Sequence, residues 1–193
     1  MIWTLLAVSA LAAPPDFRET RTDVADGCTL FLGPADASGV VPMRAECTWP
    51  DVTVDQFKAA YGDWARHDDI YTSVGTSVVL STSGNTAEVR QTFEASGIKT
   101  REMIIDGTTA DLPNGIRYSW TKHPGDQGIT SGNVEVERSD GFWEVTSRPA
   151  GGVLAVHQVS YAPGGRVPGF LIRWFQTGGL QEIAEDTRRA VHL

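Results

Sequence analysis

Residues 74–161 carry one strand-like segment after another, parted by short turns, and the longest helical pattern in the chain comes directly after them. Side chains on a strand alternate between faces, whereas those on a helix return to one face about every 3.6 residues. The segment 86–95 shows the first pattern, with Ala87, Val89, Gln91 and Phe93 on one side and Glu88, Arg90 and Glu94 on the other. In 115–122 the residues Ile116, Tyr118 and Trp120 share a phase. Further strand candidates are 74–82, 98–106, 131–139, 141–148 and 152–161, with breaks at Ser83-Gly84-Asn85, Ser96-Gly97, Asp140-Gly141 and 149–152. Short strands with turns of this length predict an antiparallel meander. The segment 167–192 shows the helical period through Phe170, Leu171, Trp174, Phe175, Leu180, Ile183, Ala184, Thr187 and Val191, with Pro168 suited to its first turn. A sheet and a helix with complementary apolar faces bury each other. The expected class is therefore α+β, a curved antiparallel sheet around a long C-terminal helix.

Before the meander, segments 27–33 and 40–48 pair as a hairpin around Ala37-Ser38. That register sets Cys28 opposite Cys47, Leu30 opposite Ala45 and Leu32 opposite Met43, all on one face. The cysteines are close enough there for a disulfide, and two buried thiols are the alternative. Residues 54–66 place Val54, Phe57, Tyr61 and Trp64 on one helical face, with Thr53 or Asp51 as the cap. His67-Asp68-Asp69 reads as the solvated end of that helix. Three adjacent residues do not converge on one ion, so no metal site is expected.

The chain has 193 residues and suits one domain. Its formal charge of −8, without a run of Lys or Arg, excludes nucleic acid as the expected partner. Residues 1–12 read as a signal peptide, because Ala10-Leu11-Ala12 gives an A-x-A cleavage pattern with Ala13 as the first mature residue. No Lys or Arg precedes the apolar run. A buried first helix is the competing reading, but Pro14-Pro15 would end it at once. An exported protein, periplasmic or secreted, is the expectation. Residues 13–25 read as a poorly fixed polar arm, and 26–193 as the folded domain.

Several segments, in this order and spacing, resemble START-like proteins, the SRPBCC or polyketide cyclase/lipid-transport superfamily. They are Asp26-Gly27-Cys28-Thr29-Leu30-Phe31, Arg44-Ala45-Glu46, Tyr61-Gly62-Asp63-Trp64 running on to Ser77-Val78-Val79-Leu80, Arg101-Glu102-Met103, Gly141-Phe142-Trp143-Glu144-Val145, and Gly164-Gly165-Arg166-Val167-Pro168-Gly169-Phe170-Leu171. Met103 departs from the family's aromatic residue, and Gly178-Gly179 interrupts the last helix. The resemblance implies a helix-grip fold with an internal cavity for a lipid, sterol or quinone. A monomer with transient membrane contact is expected, and no cofactor. Candidate ligand-binding residues from the inward phases are Val89, Gln91, Phe93, Tyr118, Trp120, His157, Leu171, Trp174 and Phe175. Gln91 and His157 are polar in otherwise apolar phases and need either a ligand hydroxyl or carbonyl or a partner within the protein. A cyclase or aromatase is the alternative function, with His157 beside Glu102 or Tyr118 as its acid or base. No nucleophile-elbow, H-E-x-x-H, P-loop or dinucleotide motif occurs.

Overall fold

A computed structural model describes residues 13–169, 172 and 175–192. The signal-peptide reading of residues 1–12 lies outside the described residues. Ten strands form one open antiparallel sheet, apart from one short parallel pairing. They are β1 Arg18–Val24, β2 Cys28–Leu32, β3 Met43–Trp49, β4 Val74–Ser83, β5 Thr86–Phe93, β6 Arg101–Leu112, β7 Gly115–Lys122, β8 Val134–Glu135, β9 Arg138–Ser147 and β10 Val153–Ala162. Their order is β1-β2-β3-β10-β9-β7-β6-β5-β4, with β8 beside β6. Helix α1 spans Val54–Tyr61 and α2 spans His67–Ile70, with a 3-10 turn at Trp64–Arg66 between them. A π-helical turn at Phe175–Gly179 runs into α3, Leu180–Ala190.

The hairpin forms in the expected register, Cys28 opposite Cys47, Leu30 opposite Ala45 and Leu32 opposite Met43. A disulfide joins the two cysteines. Thr53 caps α1 by accepting from the backbone N–H of Gln56, whose side chain in turn accepts from the Thr53 N–H. This capping box satisfies two donors that a helix start leaves bare. Asp51, the other cap candidate, pairs instead with Arg188 of α3 at 2.9 Å.

Three sequence expectations give way. The arm over 13–25 is not loose, because Arg18–Val24 pairs with β2 and extends the sheet. The break at Asp140-Gly141 lies inside continuous β9. Glycine is needed there because a Cβ would come within 2.4 Å of the Gln158 carbonyl oxygen and 2.7 Å of the Trp120 ring. A glycine within a strand often marks such a close approach rather than a turn. The C-terminal helix is not uniform, since Gly178 and Gly179 fall in the π-helical turn that precedes α3. The extra residue in a π turn shifts the helical phase, which glycine tolerates.

Helix α3 packs over β1, β2 and β3 and touches α1 and α2. Asp186, buried on its inner side, accepts from the Thr72 N–H at 2.8 Å and pairs with Arg189. The Tyr71 hydroxyl bonds Thr187 at 3.2 Å. The Cys28–Cys47 disulfide should leave no thiol titratable in the unfolded, unreduced protein. A Cys28→Ala/Cys47→Ala variant should lose about 3 kcal/mol in denaturant unfolding, the usual worth of closing a loop of this length.

Candidate functional site

A cavity lies between the concave sheet and the C-terminal helix. Its volume is about 150 Å³. Its wall is mostly apolar, with Met43, Met103, Ile105, Val159, Trp120 and Trp143 on the sheet side and Phe175, Gly179 and Ile183 on the helix side.

Of the residues expected to bind ligand, Gln91, Phe93, Trp120, His157 and Phe175 line this cavity. Val89 and Tyr118 do not. Val89 is fully buried in the core. The Tyr118 ring packs against Phe57, Tyr61 and Trp64, with centroids 6.4, 4.9 and 6.3 Å away. Both residues share the inward phase of their strands, but α1 and the 3-10 turn cover that part of the sheet. Leu171 and Trp174 lie outside the described residues.

The two polar candidates differ. Gln91 has its partners within the protein: its amide N–H donates to Ser77 Oγ at 3.0 Å and to His67 Nδ1 at 3.3 Å. Ser77 Oγ donates onward to the Trp64 carbonyl at 2.6 Å. His67 Nε2 donates to the Tyr61 carbonyl at 3.1 Å, which fixes its tautomer, because a carbonyl only accepts. His67 is thus a buried cavity residue and not a solvated helix end. The charges of Asp68 and Asp69 hid this in the sequence, while packing against β4 and β5 decided it.

His157 is only 2% exposed, and neither ring nitrogen makes a well-formed hydrogen bond among the described residues. Trp120 stacks on it at 5.7 Å and Trp143 lies at 4.6 Å. Burial pushes its pKa down to about 3, against a weaker opposing pull from the Phe142 backbone. The ring is therefore neutral at pH 7, offering one N–H donor and one acceptor. Leaving such a group bare costs roughly 1–3 kcal/mol.

Charged groups are few. Arg101, Glu94 and Glu182 line the cavity. Burial, then Asp186 and Glu185, raise the Glu182 carboxyl above its ordinary range. Glu102, weighed beside His157 for acid–base work, does not line the cavity. It accepts from Asn133 and Thr130 and pairs with Arg90. Sequence reasoning missed Arg101, Trp143 and Tyr161 as lining residues. Trp143 and Tyr161 sit opposite His157 and Ser139 in the β9–β10 register, so the strand phases carried a signal for both. Among the described residues no cluster of His, Cys, Asp or Glu could hold a metal ion.

Both buried histidines link stability to pH. Burial lowers His67 to about 4 and His157 to about 3, whereas an unfolded imidazole takes a proton near pH 6.5. Acidification therefore loads protons onto the unfolded chain first. Stability present above about pH 6.5 is lost as pH falls toward those folded values. Between pH 6 and 4.5 each histidine should contribute a slope of about 1 kcal/mol per pH unit. His157→Leu should flatten urea-derived stability against pH by about that amount, and an unchanged slope would show that His157 is already protonated or solvated in the fold.

No family model matches the sequence, and no curated protein matches it. Solved structures do. A STAR-related lipid transfer protein from Xanthomonas axonopodis is 18% identical, with a TM-score of 0.74 over 91% of this chain and 96% of that one. Human StAR-related lipid transfer protein 5 is 13% identical, with a TM-score of 0.74 over 94% and 88%. The Zhui aromatase/cyclase from a Streptomyces species is 13% identical, with a TM-score of 0.54 over 77% and 93%. The ten-stranded sheet, the cavity and the covering helix together are the helix-grip fold of START domains, and this chain has that fold.

Proposed function

We propose that this chain is an exported protein that holds one hydrophobic molecule, a lipid, sterol or quinone, in the cavity between sheet and helix. The observation that carries the reading is His157, a neutral imidazole without a well-formed hydrogen bond among the described residues, set among tryptophans in an apolar cavity. A ligand hydroxyl or carbonyl would complete its hydrogen bonding, while the ligand's apolar body would leave water at about 25 cal/mol per Å². The likeness to two lipid-transfer proteins supports the same class of cargo. The apolar leader ending in Ala10-Leu11-Ala12 and the Cys28–Cys47 disulfide support an oxidising, extracytoplasmic compartment. Among the described residues no helix is long and apolar enough to cross a membrane.

Cyclase chemistry is the second reading, favoured by the likeness to the Zhui enzyme. The acid–base pairings weighed for it are not assembled, since Glu102 and Tyr118 both lie outside the cavity lining.

Native mass spectrometry of gently purified protein should show one bound lipid-sized mass, recovered by solvent extraction. Gly179→Trp places a bulky side chain in the cavity wall at a backbone conformation (φ −64°) open to any residue. It should abolish uptake of fluorescent lipid and sterol probes with an unchanged circular dichroism spectrum. Failure of the wild-type protein to take up any probe, with no extracted mass, would sink the binding reading.

A further inference from the structure

Arg101 is the one Arg or Lys among the described residues that line the cavity. It is 3% exposed, at the first position of β6, opposite Phe93 of β5. Two of its donor groups reach backbone carbonyls, Nη1 to Lys99 at 2.5 Å and Nη2 to Gly164 at 3.5 Å. Its Nε is buried without a partner among the described residues. Among the described residues no carboxylate forms an ion pair with it, although Glu94 and Glu182 line the same cavity. Backbone carbonyls solvate a guanidinium but leave its charge uncompensated. A buried cation in this state is costly unless an anion joins it.

Tyr161 lines the same cavity. The Phe93 ring opposite Arg101 is 6.2 Å from the Tyr161 ring, and Phe175 covers Tyr161 from the helix side at 5.9 Å. The Tyr161 hydroxyl has no hydrogen-bond partner among the described residues and belongs to the same cavity. The positive charge of Arg101 reaches it, opposing the rise in its pKa that burial causes. Tyr161 and His157 share one face of β10. They are four residues apart, so about 13 Å of strand separates the Arg101–Tyr161 end of the cavity from the imidazole end.

We infer that Arg101 and Tyr161 form a receptor for the carboxylate head of a single-chain acidic amphiphile, whose tail lies along Val159, Met103 and Trp120 toward His157. This rests on the binding function proposed above and specifies its ligand. Two open donors, one on a cation and one a phenol, match the two oxygens of a carboxylate. A phosphate monoester brings three anionic oxygens and would leave one bare. Hydrogen bonds to charged groups contribute roughly 1.5–3 kcal/mol, or about 10- to 100-fold in affinity.

The test is isothermal titration of delipidated full-length protein with dodecanoate, 1-dodecanol and dodecyl phosphate at pH 8, each below its aggregation limit. Dodecanoate should bind about 10- to 100-fold more tightly than dodecanol and more tightly than dodecyl phosphate. Arg101→Gln should remove that preference in a protein whose circular dichroism spectrum is unchanged. Because Arg101 also ties two backbone segments, Tyr161→Phe provides a second variant that keeps the ring packing, and it should cost dodecanoate about tenfold. Equal binding of dodecanol and dodecanoate, tighter binding of dodecyl phosphate, or an unaltered preference in a folded Arg101→Gln or Tyr161→Phe protein would each overturn the carboxylate assignment. Those outcomes leave hydrophobic binding standing. Loss of binding for all three ligands, together with the lipid and sterol probes, is the separate failure of the binding reading.

Discussion

The pairing of β10 with β3 joins strands more than a hundred residues apart in sequence and makes one continuous sheet from two pieces. It runs from Val153 opposite Trp49 to Val159 opposite Met43. Without it the β1–β3 ribbon, which carries α3, would stand apart from the β4–β10 meander, and each would expose an apolar face. With it, His157 and Val159 come beside Ala45 and Met43, and the cavity gains its central wall. The disulfide in the neighbouring β2–β3 pair fixes the same region covalently.

The helix does not cover the sheet evenly. Its α3 portion is pinned over the early strands by Asp186 to Thr72, Thr187 to Tyr71 and Arg188 to Asp51. The π turn ahead of it carries Gly178 and Gly179, and Gly179 lines the cavity. A bulkier residue there would move the wall inward. Closely packed interiors leave few voids larger than a water molecule, so space of this kind is maintained by particular residues and not left by accident.

The polar groups in the cavity divide by how fully they are satisfied. The Gln91–His67–Ser77 chain closes on backbone carbonyls and acts as structure, sealing the aromatic side near Tyr61 and Trp64. Among the described residues His157 has no well-formed hydrogen bond and Arg101 keeps its Nε unpaired, although both are deeply buried. Groups of this kind are rare in folded proteins because desolvation without a partner is costly, which is why they point to a ligand more sharply than the many aromatic residues around them.

Much of the fold was legible from periodicity. The register of Cys28 with Cys47, the inward phase of Gln91 and Phe93, and the covering helix near the C-terminus all follow from local alternation, since side-chain direction is set by the backbone repeat. Three features depended on contacts between distant segments. Gly141 reads as a break until Trp120 is seen lying over it, and the arm reads as loose until β2 supplies its hydrogen bonds. His67 reads as solvated until β5 brings Gln91 to its ring. The division of Gln91 from His157, one satisfied within the protein and the other without a well-formed partner among the described residues, was likewise beyond the sequence. Alternation determines which face a side chain takes, but whether a partner waits on that face depends on which strands and helices the whole chain packs against it.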